Sequence, residues 1–166
     1  MRVIGIDPSL TGTCCFDGDD YCYIQPKKLS GVARMVHIRD TVLGFVGDDE
    51  ATVVMEDFAF SRAQHAHDKG GLGWILRLAL LEAGVDVWLM KPNSRAMLAT
   101  GKGNASKDAV VSEVSVRTGT IFPTNDHCDA FLLWVAGCER LGISHPMAPL
   151  PKTHIRALSK VEHLSL

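Results

Sequence analysis

The sequence lacks several features that would assign it to a protein class at once. No uncharged apolar run reaches the length of about 18 residues that spans a bilayer, so we expect no membrane partner. There is no Cys-x-x-Cys pair, which argues against a structural zinc site. The five cysteines have no recurring spacing, and the short N-terminal apolar run does not have the form of a signal peptide. We therefore expect a soluble intracellular protein with reduced thiols.

The sequence also has no excess of positive charge. Its 17 lysines and arginines against 19 acidic residues give a net charge of −2, so no overall basic field indicates a nucleic-acid partner. The 166 residues, of which 46% are hydrophobic, suit one domain with a packed core. Any functional signal must therefore come from the local placement of charged residues.

The order of apolar segments predicts an α/β fold. A first strand is followed by two strands joined at the Asp17–Asp20 turn, which indicates an antiparallel start. A helix then leads to a buried strand, and this order implies a parallel crossover. We expect a five-stranded mixed sheet, with three antiparallel strands and then parallel strands, flanked by helices. The strands are predicted at 2–7, 10–16, 21–25, 51–56 and 85–90, and the helices at 31–46, from 70–73 to about 84, and at 93–100, 107–117 and 126–141.

Three prolines follow the last predicted helix, at Pro146, Pro149 and Pro151. Because proline lacks an amide hydrogen and fixes φ, we expect no regular structure beyond this point. The predicted organisation is one domain over residues 1–145 and a proline-rich, basic C-terminal tail over residues 146–166.

Two acidic residues close predicted buried strands. Asp7 and Glu56 each follow an apolar run, and parallel strands would bring both carboxylates to one edge of the sheet, where open α/β sheets bind ligands. Asp57 should face the other side of the sheet by strand alternation. An Asp-Pro pair such as Asp7-Pro8 is also typical of a simple turn, so this acid alone does not decide between the two interpretations.

Asp126 and Asp129 stand three residues apart at the start of an apolar helix and share one face of it. Acids in a first helical turn are also common because they offset the helix dipole. Like charges at this spacing repel, however, and a bound cation would relieve the repulsion. Carboxylates are preferred ligands of Mg²⁺ and Mn²⁺, and two such ions about 3.5–4 Å apart promote phosphodiester hydrolysis. The four acids together predict a divalent-metal pocket.

Four basic residues lie in a stretch without acids that follows the fifth predicted strand. They are Lys91, Arg95, Lys102 and Lys107, and Lys102 lies in a Gly-Lys-Gly loop whose backbone could approach a phosphate closely. This segment either contacts nucleic-acid phosphates or forms an ordinary solvated face.

Phe58 and Phe60 follow the acid at residue 56 almost directly. They either pack in the core or stack on bases near a distorted nucleic-acid backbone. The histidines nearby, His65 and His67, are too isolated to predict a metal site, and a solvated loop is the simpler interpretation.

The second predicted helix has more apolar surface than one buried face requires. Leu72 and Leu76 belong to one stripe, and Trp74, Leu78 and Leu81 belong to another. The helix is either buried between layers or packs inward on one side and against a second subunit on the other.

Four short segments carry these acids and lysines: residues 2–13 (RVIGIDPSLTGT), 53–58 (VVMEDF), 100–108 (TGKGNASKD) and 125–130 (NDHCDA). In this order they resemble the first motif, the second acidic strand, the Gly/Lys loop and the Asp-x-x-Asp-Ala motif of RuvC-type Holliday junction resolvases. That family has a ribonuclease H-like fold. The resemblance extends from residue 1 to about residue 140.

The resemblance implies a metal-dependent endonuclease that resolves Holliday junctions by paired symmetric nicks that leave 5′-phosphates. Other branched DNA is a further candidate substrate. It implies Mg²⁺ as cofactor, with two ions per active site and Mn²⁺ as a substitute. It also implies four-way DNA junctions as the partner, a homodimer, and a place in the cytoplasm of a bacterium or of a phage-infected host cell.

The resemblance also assigns roles to individual residues. The metal-binding catalytic acids would be Asp7, Glu56, Asp126 and Asp129, and Lys107 would assist catalysis. The DNA-binding residues would be Lys91, Arg95, Lys102, Lys107, Phe58 and Phe60, with one of the two phenylalanines acting at the junction centre.

Two other classes share parts of this pattern. Sugar kinases and actin-like ATPases also open on a strand that ends in aspartate, but they need two such domains, and only one such opening is present. A non-catalytic module that binds branched DNA would be expected to lack one or more of the acids, whereas all four are present.

Overall fold

Six strands form one mixed sheet in the computed structural model, which describes residues 2–57 and 66–165. Neighbouring strands follow the order β3-β2-β1-β4-β5-β6 across the sheet. The pairs β1–β4 and β4–β5 are parallel, and the other neighbours are antiparallel. The strand bounds are β1 Arg2–Asp7, β2 Thr13–Phe16, β3 Tyr21–Ile24, β4 Ala51–Glu56, β5 Asp86–Met90 and β6 Glu162–Leu164.

Helices cover the sheet, and local sequence explains several of their ends. Pro92 occupies the first turn of the third helix, and Gly101 ends that helix in the left-handed conformation. Ser106 Oγ accepts a hydrogen bond from the amide of Ala109 at 3.3 Å and caps the fourth helix. None of the helices within the described ranges is long and apolar enough to cross a membrane. The bounds are α1 Gly31–Val46, α2 Ala66–Glu82, α3 Pro92–Thr100, α4 Lys107–Thr118, α5 Asn125–Leu141 and α6 Lys152–Ile155, followed by a 3-10 turn at Arg156–Lys160.

Strand alternation divides the side chains between two apolar layers. Ile4 and Ile6 of β1 and Met55 of β4 belong to the layer formed with α1 and α2. Val54 of β4 and Met90 of β5 belong to the opposite layer, which includes most of the apolar side chains of α5. By the same alternation, Asp7 at the end of β1 and Glu56 at the end of β4 lie on the side of the sheet that α5 covers.

Helix α5 lies close against β1 because glycines leave room for it. A Cβ atom on Gly5 would overlap the backbone carbonyl of Ala130 and the backbone amide of Trp134. A Cβ atom on Gly137 would meet Val3 Cγ1 at 2.5 Å. The first turns of α5, which carry the Asp-x-x-Asp pair, are thus held next to the end of β1.

Two elements begin three or more residues away from the predicted positions. Strand β2 begins at Thr13 and not at residue 10, because Thr13 Oγ1 donates to the Ser9 carbonyl at 2.6 Å and accepts from the Ser9 amide at 3.0 Å. This turn uses hydrogen-bonding groups that a longer strand would have used. Helix α2 begins at Ala66, before the glycines at 70–73, so those glycines lie inside the helix.

The expectation that the C-terminal prolines prevent regular structure is wrong. Residues 152–164 form α6, the 3-10 turn and β6. Strand β6 pairs with β5, so the sheet has six strands and not the five predicted. Met147 and Ala157 are buried in the layer around α5. The apolar residues of this segment pack into the layer around α5, and the prolines are compatible with that packing.

We expect Gly5→Ala to lower the free energy of unfolding by about 1–3 kcal/mol or more, because its Cβ would overpack against backbone atoms that cannot rotate away. Gly44→Ala is the matched control, since a Cβ there meets no atom within 4 Å and lies inside α1. That variant should be as stable as the wild type or more so, because alanine favours a helix by about 0.5–1 kcal/mol over glycine. Urea denaturation measures both, and equal stabilities would contradict the close approach of α5.

Candidate active site

The sheet brings two predicted acids together at one edge. Asp7 ends β1 and Glu56 ends β4, and these neighbouring parallel strands are paired up to Ile6 and Met55. Asp7 is buried and Glu56 is partly buried. Their placement at the carboxyl ends of adjacent parallel strands follows the sequence prediction.

Helix α5 supplies the other two acids. Asp129 is buried, and its carboxylate faces the same space as Asp7. Asp126 lies in the first turn of the helix and is close enough to raise the pKa of both Asp7 and Asp129. These three acids therefore interact with one another, and together with Glu56 at the adjacent strand end they form one group, which we call the acid cluster.

The guanidinium of Arg95 lies inside the acid cluster. Its Nη2 contacts Asp129 Oδ2 at 2.8 Å, its Nη1 lies 3.9 Å from Asp7 Oδ1, and Nη1 also donates to Glu56 Oε2. Helix α3 holds this side chain in place, since it starts directly after β5, the neighbour of β4. Sequence reasoning placed Arg95 on a DNA-contacting surface, but the residue is only 9% exposed and is paired with acids.

Burial dominates the electrostatics of the acid cluster. Burial raises the pKa of Asp7 from 3.8 to about 7, the positive charge of Arg95 opposes that shift, and the charges of Asp129 and Asp126 add to it. Burial likewise raises the pKa of Asp129, against the charges of Arg95 and Lys107. Burial thus disfavours the charged forms of Asp7 and Asp129, and the positive charge of Arg95 only partly offsets this effect.

The three lysines that were predicted to bind DNA are exposed. Lys107 begins α4, is exposed, and is close enough to lower the pKa of Asp7 and Asp129. Lys102 is exposed in the loop between α3 and α4, where the Thr100 hydroxyl accepts a hydrogen bond from its amide at 3.1 Å. Lys91 is exposed and pairs with Glu162 of β6 at 3.4 Å. Lys107 is thus exposed close to the acid cluster, and Lys102 is exposed in the loop before α4.

Tyr23 is a site residue that sequence reasoning missed. Its hydroxyl donates to Asp126 Oδ2 at 2.8 Å, and Gly12 leaves room for this contact, because a Cβ there would lie 2.6 Å from the tyrosine oxygen. Strand register could have found it: Asp7 pairs with Cys14, and Cys14 pairs with Tyr23, so these side chains form one row across three strands. Tyr23 fixes the orientation of the Asp126 carboxylate.

Asp57 lies on the opposite face of the sheet, as strand alternation predicted. Its Oδ1 is 2.6 Å from Nη2 of Arg77, which is buried on α2. Glu56 and Asp57 are adjacent in sequence but belong to separate charge clusters. The side chains predicted at Phe58, Phe60 and His65 lie outside the described residues, as does the side chain of His67.

The donor set of the acid cluster fits a divalent cation in its chemistry. Four carboxylates supply hard oxygen ligands, the type that Mg²⁺ and Mn²⁺ prefer. Within residues 2–57 and 66–165, no three acidic, histidine or cysteine side chains are positioned as ligands of one ion. Arg95 instead bridges three of the acids, and its Nε has no hydrogen-bond partner in this part of the chain. In this structure the guanidinium of Arg95 thus lies between three of the four carboxylates.

The fold is also found in proteins of known structure. The structure of Thermus thermophilus RuvC matches 86% of this chain and 97% of its own, with 25% identity and a TM-score of 0.62. The chain has the fold of RuvC. T. thermophilus RuvC in complex with a Holliday junction substrate matches 86% of this chain and 96% of its own, with 24% identity and a TM-score of 0.63. No family model and no curated protein matches the chain.

These two RuvC structures confirm the resemblance that the four sequence motifs predicted, and with it the ribonuclease H-like α/β architecture. The sheet has the five predicted strands, some with shorter bounds, and a sixth strand that was not predicted. The similarity covers most of both chains.

We expect Asp7 to make stability depend on pH when no divalent cation is added. A folded-state pKa of about 7 means that the folded protein keeps a proton which the unfolded chain releases near pH 4. Stability should therefore fall as pH rises through this window. In Asp7→Asn the fall should be smaller, because asparagine does not titrate. Urea denaturation at several pH values in EDTA measures the difference between the two proteins.

The control for this measurement is Asp108→Asn, which changes an exposed acid in the first turn of α4. It shows how much the pH profile changes when an acid outside the acid cluster is replaced. If Asp7→Asn differs from the wild type between about pH 4 and pH 7 by no more than this control does, Asp7 does not have the raised pKa that burial implies.

Proposed function

We propose that this chain is a metal-dependent endonuclease that resolves Holliday junctions. The observation that carries the proposal is the convergence of Asp7, Glu56, Asp126 and Asp129 at one edge of a RuvC-like sheet. Support also comes from the similar RuvC structure that is described in complex with a Holliday junction substrate. Forks, flaps and other branched DNA are further candidate substrates of the same site.

The acid cluster would hold Mg²⁺, or Mn²⁺ in its place, as two ions per active site. Asp7 and Glu56 would bind from the sheet, and Asp126 and Asp129 would bind from α5. The ions would supply an activated water and charge stabilisation for the leaving 3′-oxygen, so that hydrolysis leaves a 5′-phosphate. Tyr23 would keep Asp126 oriented through the hydrogen bond from its hydroxyl.

Lys102 and Lys107 would bind the DNA backbone beside the acid cluster. Both are exposed, and Lys107 is near enough to Asp7 and Asp129 to affect their ionisation. A lysine at that distance would hold the scissile phosphate over the carboxylates. Phosphate contacts of this kind give affinity without reading base sequence, so recognition of the junction would depend on its shape.

A homodimer would let two acid clusters cut two like strands symmetrically, and α2 would supply its contact. On its inner side, Leu72, Leu76 and Leu80 are buried in the core. On its outer side, Trp74 is 60% exposed and Leu78 is 51% exposed. Large apolar side chains on the outside of a helix whose inner face is already packed suit an interface between copies.

The proposal is tested by the adjacent pair Glu56→Gln and Asp57→Asn on a labelled four-way junction with Mg²⁺. Glu56→Gln should lower the cleavage rate at least about 100-fold, since it removes a metal-binding charge from the reaction centre. Asp57→Asn should cleave at close to the wild-type rate, because its side chain faces α2 and keeps an acceptor for Arg77. Circular dichroism at the assay temperature confirms that each variant is folded.

Loss of cleavage in both variants would mean that the reaction does not depend on which face of the sheet the acid occupies. A wild-type protein that binds the junction in EDTA but does not cut it after Mg²⁺ or Mn²⁺ is added would favour the non-catalytic branched-DNA-binding alternative. The pairing of three acids with Arg95 is the observation that keeps this alternative in view.

We expect Leu78→Glu to shift the protein from dimer to monomer, because a charge would be buried at the α2 contact. Val116→Glu is the matched control: Val116 is also apolar and is 83% exposed, but it lies on α4. Sedimentation velocity measures both. A monomeric wild type, or a Leu78→Glu variant that remains dimeric, would contradict the α2 contact.

A further inference from the structure

We propose that Arg95 is a built-in counter-ion of the acid cluster and that its guanidinium competes with divalent cations for Asp7, Glu56 and Asp129. The proposal rests on the proposed function in one respect, since it takes the acid cluster to be the divalent-cation site. It goes beyond that function by giving Arg95 a role that opposes metal binding. Its consequence is that cation binding requires the arginine to leave its present contacts.

The charge of the acid cluster is the first argument. The side chains of Asp7 and Asp129 are 10% and 9% exposed, and that of Glu56 is 19% exposed. Carboxylates this close together and this poorly hydrated cannot all ionise without a positive charge among them. Arg95 is the buried cation that contacts all three, whereas Lys107 acts from the exposed start of α4.

The geometry of the guanidinium is the second argument. Nη1 faces Asp7 Oδ1 and Glu56 Oε2 at the ends of two strands, and Nη2 faces Asp129 Oδ2 on α5. One planar group thus links the sheet to the helix through oxygens from three acids. A cation bound by these acids would need the same lone pairs, and it would repel the guanidinium at that distance. The two positive groups are therefore alternatives.

The incomplete fit of Arg95 is the third argument. Its Nε is buried and has no hydrogen-bond partner among the described residues, although a guanidinium has five hydrogens to donate. A buried donor without a partner carries a free-energy penalty, which weakens the hold of the acid cluster on the arginine. A divalent cation brings twice the charge of a guanidinium, so it can displace a group that is held in this way.

Arg95→Met tests the proposal, because methionine keeps an unbranched apolar side chain and removes the charge. We expect the apparent dissociation constant for Mn²⁺ to fall at least about fivefold relative to the wild type, as for a removed competitor. The melting temperature should fall without Mn²⁺ and rise further than that of the wild type when Mn²⁺ is added. Electron paramagnetic resonance of free Mn²⁺ gives the affinity, and it should be measured at about pH 8.5 so that protons do not compete for the carboxylates.

Two further variants complete the design. Arg77→Met removes an arginine that is equally buried but pairs with Asp57 on the other face of the sheet, so its Mn²⁺ affinity should equal that of the wild type. Arg95→Lys keeps the charge but loses the two-armed contact, so its Mn²⁺ affinity should lie between those of the wild type and Arg95→Met. If Arg95→Met folds only when Mn²⁺ is present, that outcome also supports the proposal.

The outcomes separate this proposal from the proposed function. If the wild type binds Mn²⁺ and both Arg95 variants bind it equally or more weakly, the competition is refuted and the metal site stands. If neither the wild type nor any Arg95 variant binds Mn²⁺, the acid cluster is not a metal site and the proposed function fails with it. A rise in Mn²⁺ affinity for Arg77→Met as large as that for Arg95→Met would also refute the specific role of Arg95.

Discussion

The contact between one buried arginine and three buried acids is the constraint on which the candidate site depends. Arg95 links the ends of β1 and β4 to the first turns of α5, and the three elements meet nowhere else through charged groups of this kind within the described residues. Taking one partner from such a cluster leaves an unbalanced buried charge, which typically costs about 3–5 kcal/mol. A bound divalent cation would supply the same kind of positive charge that Arg95 supplies to these acids. A divalent cation bound by these acids would therefore change stability in this part of the molecule.

The backbone around this contact is arranged to make it possible. Parallel pairing places Asp7 and Glu56 at one edge, and the missing side chain of Gly5 lets α5 approach β1 closely. Gly12 allows a further close contact, in which the Tyr23 hydroxyl reaches the Asp126 carboxylate. Small residues at positions of close approach and acids at strand ends thus act together. Neither would assemble the acid cluster alone.

Some of this arrangement could be predicted from sequence because it depends on local periodicity. Strand ends and period-two alternation placed Asp7 and Glu56 on one face and Asp57 on the other, and the ion pair with Arg77 agrees with that division. The position of Arg95 could not be predicted, because it depends on how α3 packs after β5. In the sequence, a stretch of basic residues is as typical of an exposed charged surface as of a buried ion pair. The C-terminal strand was missed for a related reason. The prolines that precede it argue locally against regular structure, whereas its pairing with the edge of β5 depends on the tertiary fold.

We propose above that the acid cluster of this RuvC-like fold cuts branched DNA. The most direct test is to map nicks on all four strands of an immobile four-way junction after incubation with the wild-type protein and Mg²⁺. If the protein is a metal-dependent junction endonuclease, we expect nicks at symmetric positions on two strands of like polarity, with 5′-phosphate ends. We expect no nicks when EDTA replaces Mg²⁺. Cleavage that persists in EDTA, or a junction that stays intact in the presence of both Mg²⁺ and Mn²⁺, would contradict it.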